Sequence, residues 1–281
     1  MCSPHIHVPG GAAKAMLFTT LAFVFLLAGC GDTASTGGTS TPQSQPQGEA
    51  VVFAASSLQN AFKQMATGTP DKVTFNFGGS PTLVTQLEQG AKADVFASAD
   101  AKNMKAAIQA GVVVSGTHRA FVTNRLVVVT PSGSAKVSML TDLGKPGLKL
   151  VLAEKSVPAG NYSLQILDKL SADATYGQDF KDKALANVVS YESNVRQVLG
   201  KVQLGEADAG IVYVTDARAI EQAVGQIEIP DPYNVIATYY IAPIKDAAHP
   251  EAASRFIEYT LSDAGQKVLQ SFGFGPPGSG R

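Results

Sequence analysis

The sequence predicts an α/β protein whose folded body divides into two lobes, each a mainly parallel sheet flanked by helices. Three observations predict it. Short runs rich in β-branched and aromatic residues alternate with amphipathic stretches from Val51 onward, the pattern of strands joined by helical crossovers. Roughly 230 residues follow a polar N-terminal tract, enough for two lobes of about 100 residues each. Extended apolar segments run into turn-forming residues at Thr130-Pro131 and again between Pro230 and Ala237; two such crossings between lobes would make a hinge. The expected organisation is residues 50–130 with 237–281 as the first lobe and 131–236 as the second.

The body is preceded by two segments of different character. Ala15 to Ala28 is almost wholly apolar, follows Lys14 and ends in Leu27-Ala28-Gly29-Cys30. A run this short with small residues at its end reads as a secretory signal rather than a spanning helix. Residues 1–29 are therefore expected to be removed, with Cys30 as the lipidated first residue of the mature chain. Residues 30–49 are dominated by Gly, Ser, Thr, Pro and Gln. They have too little apolar content to fold and are expected to act as a flexible tether.

The elements of the body follow in order. Val51 to Ala55 is a buried-strand candidate, and the next stretch places Leu58, Phe62 and Met65 on one helical face. Val73, Phe75 and Phe77 alternate as in a strand; Leu83, Val84 and Leu87 return to helical spacing, which Gly90 is placed to end. Asp94 to Ala97 reads as strand, Ala101 to Ala110 as helix, and Arg125 to Thr130 as a β-branched strand. A second series has strands at Leu148 to Ala153, Val188 to Tyr191 and Gly210 to Val214, with helices near Tyr162 to Leu170 and Val195 to Val202. Val235 to Ile244 is a long extended segment, and helices near Pro250 to Thr260 and Asp263 to Ser271 close the chain.

Composition narrows the function. The chain has two cysteines, Cys2 in the expected signal and Cys30 at its end. The mature body is therefore expected to lack disulfides, cysteine-held metal and thiol chemistry. A formal net charge of −1 leaves no electrostatic footprint for nucleic acid. No cofactor is expected, and the body is expected to be a monomer.

Four places put a polar or flexible residue at the start of an expected helix, where unpaired amides and the helix dipole favour anions. Ser57 lies in Ala54-Ala55-Ser56-Ser57-Leu58, where it also suits a plain N-cap. Ser80 lies in Phe77-Gly78-Gly79-Ser80-Pro81, read as N-cap followed by proline at the first helical position. Ala159, in Val157-Pro158-Ala159-Gly160, can offer only its amide, and the tetrapeptide also fits a simple proline-initiated helix. Val195 opens the helix after Glu192-Ser193-Asn194; the following Arg196 can reach an anion, point outward or pair with Glu192.

These segments carry a resemblance. Phe53-Ala54-Ala55-Ser56-Ser57-Leu58, Gly79-Ser80-Pro81-Thr82-Leu83, Ala93 to Asp100, Val157-Pro158-Ala159-Gly160 and Gly210-Ile211-Val212-Tyr213 occur in the order seen in periplasmic molybdate-binding proteins of ABC transporters. The similarity spans Val51 to Phe274. It implies the type II periplasmic-binding fold with a two-stranded hinge, and an oxyanion held by Ser57, Ser80, Ala159, Val195 and Tyr213, with no direct protein–metal bond to the molybdenum. It also implies an ABC permease as partner, so that the anion, molybdate or tungstate, is delivered to the membrane. In this chain Gly78-Gly79 replaces residues such as Ala-Ser common in relatives.

Tyr213, near the end of its expected strand, is otherwise an ordinary core aromatic. Asp94 and Asp100 would repel an anion and are expected to cap the strand-to-helix turn and support the lobe interface. A site made only of donors accepts a fully deprotonated oxyanion and rejects one that keeps a proton. Sulfate passes the same test, so a sulfate receptor is the nearest rival. A serine hydrolase built on Ser57 or Ser80 is a more distant one. His118 and His249 lie in no recognisable catalytic setting and no Gly-x-Ser-x-Gly elbow is present.

Overall fold

In the computed structural model, which describes residues 47–277, the chain builds two five-stranded sheets. The expected secretory signal, Cys30 and most of the tether lie outside the described residues. The chain first forms β1 (Glu49–Ala55), α1 (Gln59–Ala66), β2 (Lys72–Gly78), α2 (Ser80–Glu88), β3 (Val95–Ser98), α3 (Ala101–Gln109) and β4 (Arg119–Asn124). It crosses into β5 (Leu126–Pro131), β6 (Leu150–Ala153), α4 (Pro158–Ser171), α5 (Phe180–Ala186), β7 (Val188–Glu192), α6 (Val195–Gln203), β8 (Ala209–Tyr213), α7 (Val214–Arg218) and β9 (Val224–Glu228). It then returns through β10 (Ala237–Pro243), α8 (Pro250–Leu261) and α9 (Asp263–Ser271).

The sheet orders are β2-β1-β3-β10-β4 and β7-β6-β8-β5-β9. In the first, β1 is parallel to β2 and β3, while β10 is antiparallel to β3 and β4. In the second, β6 is parallel to β7 and β8, while β5 is antiparallel to β8 and β9. Each sheet is thus mixed: the parallel character expected from the sequence holds for three strands of each. Only strands joined by helical crossovers are obliged to run parallel. β5 and β10 enter from the opposite lobe and are free of that obligation.

The first crossing falls at Arg125, not at Thr130-Pro131. Val127, Val128 and Val129 pair with Val212, Ile211 and Gly210 of the second sheet, so β5 belongs there although its β-branched run reads as the end of the first lobe. The return crossing occupies the segment between β9 and β10. Asn234 braces the two crossings, accepting the Leu126 N–H at 3.2 Å and donating to Leu126 O at 2.9 Å and Ile229 O at 3.1 Å.

Strand alternation distributes the first lobe's core to both faces. Val52, Ala54, Val95 and Ala97 pack with Phe62 and Met65 of α1, Phe256 of α8 and Leu269 of α9. Phe53 and Phe96 turn the other way, onto Leu83, Val84 and Leu87 of α2 and Met104 of α3. Phe62 and Phe256 meet edge to face with centroids 5.3 Å apart, a geometry that adds to the roughly 1.5–3 kcal/mol of burying each such side chain. β4, α5, α7 and β9 have no counterpart in the sequence reading, being short and weakly periodic.

Candidate functional site

In both lobes the C-terminal ends of strands feed helix starts, which is where open α/β sheets bind ligands. β1 runs through Ala55 into the 3-10 turn Ser56–Leu58, and β2 through Gly78-Gly79 into α2. In the second lobe, β7 leads through Asn194 into α6, Val157 precedes α4, and β8 ends at Tyr213. These ends meet around one cavity lined by Ser57, Ser80, Ala159, Val195 and Tyr213 together with Gly79 and Val157. The space they leave is small, about 10 Å³ for the centre of a water-sized sphere, which is room for about one small group and far below the roughly 300–1,000 Å³ typical of sites for larger organic ligands.

The two serines are not caps. The helix starts at Ser56 and Ser80 are preceded by Ala55 and Gly79, and neither receives a side-chain capping bond. Ser57 Oγ instead lies 2.8 Å from Tyr239 Oη, and Ser80 Oγ accepts the Ala99 N–H at 3.1 Å. The α4 start likewise has no side-chain cap and carries proline at its first turn, which leaves the Ala159 N–H at an open helix start. At α6 the Asn194 side chain accepts the Arg196 N–H at 3.0 Å and the Gln197 N–H at 3.2 Å, but not that of Val195. Replacing Asn194 with alanine is expected to cost about 1 kcal/mol of stability, measurable as a lower urea midpoint. An unchanged midpoint would show that the cap does not hold α6.

Tyr213 is 1% exposed, and among the described residues its Oη makes no hydrogen bond of normal geometry, although the Tyr239 phenol lies close by. Buried polar atoms are rarely left so. Burial pushes the phenol well above its ordinary pKa, helped by Tyr239 and Tyr162 nearby, so Tyr213 faces the cavity as a neutral donor.

Among the described residues, no Lys, Arg or His lines the cavity. Arg196 turns away from it: its Nε lies 2.7 Å from Asp216 Oδ1, on a carboxylate with 0% side-chain exposure. The alternative partner considered for it, Glu192, is held by Lys201 at 2.5 Å and accepts from Ser190. Positive potential in the cavity therefore comes from the converging helix starts. Asp100 caps α3 by accepting the Asn103 N–H at 2.8 Å. Asp94 does not support the lobe interface; it accepts from Val51 N at 2.8 Å and His249 N at 2.9 Å, joining β1 to the start of α8 within the first lobe. Neither His118 nor His249 lines the cavity, so neither is placed beside Ser57 or Ser80 as the base of a serine hydrolase.

Three contributors escaped the sequence reading. Tyr239 and Asn124 stand behind Ser57, with Asn124 Nδ2 3.4 Å from Tyr239 Oη. Ser193 brings its backbone carbonyl against Gly79 across the cavity: a Cβ on Gly79 would lie 2.2 Å from Ser193 O. Only alternation hinted at Tyr239, by placing it on the buried face of an extended segment; nothing local distinguishes the other two.

Walls drawn from both sides of a hinge exist only while the lobes are closed, which is how solute-binding proteins capture their ligands. The chain belongs to the bacterial extracellular solute-binding protein family, whose profile matches residues 39–275. The molybdate-binding protein ModA of Mycobacterium tuberculosis is 38% identical over 269 residues, covering 93% of this chain and 98% of the relative. ModA of Haemophilus influenzae is 34% identical over 235 residues, covering 79% and 88% respectively. Among solved structures, the Azotobacter vinelandii periplasmic molybdate-binding protein superposes with a TM-score of 0.71 over 81% of this chain and 99% of that one. Its 20% identity marks a likeness of fold.

Proposed function

We propose that this chain captures molybdate, and tungstate with it, between its lobes and delivers the anion to an ABC permease in the membrane. The observation that carries the reading is the orphaned Tyr213 phenol, buried in a small cavity free of formal charge. A bound oxyanion supplies the acceptor that this phenol lacks. Ser57 and Ser80 are proposed to donate through their hydroxyls, Ala159 and Val195 through their amides, and Tyr213 through its phenol. The names of the relatives support molybdate over sulfate.

In this reading the first lobe is residues 50–124 with 237–277 and the second is 126–228, linked by the two crossings. Closure is a population shift driven by contacts that a ligand makes to both lobes at once. The Leu27-Ala28-Gly29-Cys30 motif supports an export signal and a lipid anchor on Cys30, which would keep the receptor beside its permease. Among the described residues no helix is long and apolar enough to cross a membrane.

Calorimetric titration with molybdate, tungstate, sulfate and phosphate tests the proposal. Tight molybdate and tungstate binding with phosphate excluded is expected; tight sulfate binding without a molybdate response would sink it. Ser57→Ala and Tyr213→Phe should each weaken molybdate binding about 10- to 100-fold, the value of a hydrogen bond to a charged group. Unchanged affinity in both would mean that the ligand is held elsewhere.

A further inference from the structure

The direction in which Ser57 points its hydrogen is decided behind the cavity. Ser57 Oγ and Tyr239 Oη lie 2.8 Å apart, both buried, and a pair of hydroxyls can bond in either direction. Asn124 breaks the symmetry. Its Oδ1 accepts the Arg125 N–H at 2.9 Å, which turns its Nδ2 toward Thr215 Oγ1 at 2.8 Å and Tyr239 Oη at 3.4 Å. An amide nitrogen can only donate. Tyr239 Oη therefore receives a hydrogen from Asn124 and keeps its own to give. Ser57 Oγ, 2.8 Å away, is the acceptor within best reach; the nearby Tyr213 Oη makes no hydrogen bond of normal geometry among the described residues. Ser57 thus accepts from Tyr239, and its own hydrogen is left for the cavity.

We propose that Asn124 and Tyr239 are positioning residues that set the specificity of the site by turning the Ser57 hydrogen toward the cavity, so that a ligand oxygen seated there meets a donor and a protonated one is disfavoured. This rests on the oxyanion reading above. The neighbouring serine obeys the same logic by a simpler device. The Ala99 N–H donates to Ser80 Oγ at 3.1 Å, which leaves the Ser80 hydrogen for the same space. A bare serine hydroxyl both donates and accepts, and would tolerate a protonated ligand. The rejection of such ligands therefore originates one layer behind the serine, in an amide and a phenol that need not touch the anion.

The test compares molybdate with hydrogen arsenate, a tetrahedral dianion that still carries a proton, by titrating the wild type, Tyr239→Phe and Asn124→Asp. The wild type is expected to favour molybdate strongly. Tyr239→Phe frees Ser57 to rotate and accept, and should shrink the molybdate-to-arsenate affinity ratio about tenfold or more, the loss of roughly one hydrogen bond's discrimination. Asn124→Asp should shrink it further, because its carboxylate takes the Tyr239 hydrogen and makes the phenol accept from Ser57. Equal weakening toward both ions, or an unchanged ratio in folded variants, overturns the relay, since a merely structural role lowers both affinities together. Circular dichroism and thermal melts verify folding; if one variant fails to fold, the ratio in the other decides. A wild type that binds neither ion overturns the oxyanion reading itself, an outcome visible before either variant is measured.

Discussion

Gly79→Ala is expected to weaken molybdate binding by about 100-fold or more while leaving the ligand-free protein as stable as before, or slightly more so. The two effects separate because they arise in different states. Gly79 has φ −67° and ψ 137°, backbone angles that alanine adopts freely, so the substitution adds no strain to the first lobe. Reducing the freedom of the unfolded chain at such a site gains about 0.4–1 kcal/mol. In the closed form, however, the new Cβ would lie 2.2 Å from Ser193 O of the opposite lobe, with Val157 Cγ2 at 3.6 Å. A backbone carbonyl cannot step aside as a flexible side chain would. Overpacking of this kind costs 1–3 kcal/mol and occasionally more, and opening the cleft relieves it at once. Calorimetry with molybdate, thermal melts without ligand and small-angle scattering with and without it check the three parts. Wild-type affinity in the variant would show that closure does not bring Gly79 against Ser193.

Arg196→Met is expected to destabilise the protein by about 1–1.5 kcal/mol near pH 7, by about 2.5–3 kcal/mol near pH 8 and by much less in acid, since each pH unit above the folded pKa is worth about 1.4 kcal/mol. Asp216 has no side-chain exposure, and Arg196, 21% exposed, is the cation beside it. Removing one partner of a buried pair strands the other, which is the costly way to break such a bridge. The pH dependence follows from the carboxyl. Burial pushes Asp216 up to about 6, and the charge of Arg196 restrains it from rising further.

The folded protein therefore holds this proton more tightly than the unfolded chain does. Asp216 lowers stability as pH rises from the ordinary carboxylate range through about 6, and the loss is complete above that value. Without Arg196 the folded pKa rises again and the loss extends to higher pH. The two proteins should differ least near about pH 5, where both keep the carboxyl neutral, and most near about pH 8. Urea unfolding at the two pH values measures this. A difference independent of pH would mean that Arg196 stabilises by packing alone. Because Arg196 follows Val195 and Asp216 lies three residues after Tyr213, the pair also ties together the two second-lobe elements that carry those donors.

The helix starts were legible because each is a local event. Gly-Gly-Ser-Pro, Val-Pro-Ala-Gly and Asn-Val mark where α2, α4 and α6 begin, since proline, glycine and asparagine act on the backbone within a turn of themselves. The roles of side chains at those starts were less legible. Ser57 and Ser80 have the composition of N-caps but bond elsewhere, to Tyr239 and to the Ala99 N–H. Propensity describes what a hydroxyl can reach nearby, and here a partner distant in sequence wins. Arg196 shows the same limit: Glu192 is its neighbour in sequence, and Asp216 its partner in space.

By itself, then, the sequence determined the α/β class, most of the strands and helices, and the segments from which an anion site is made. Those features depend on periodicity and on residues that constrain their own backbone. The tertiary structure alone decided that β5 joins the second sheet, that the sheets are mixed, that Gly79 meets Ser193, and that Asn124 and Tyr239 stand behind Ser57. Each is a meeting of chain segments far apart in sequence, fixed by ladder pairing and packing around the hinge, and short-range patterns carry no record of such meetings.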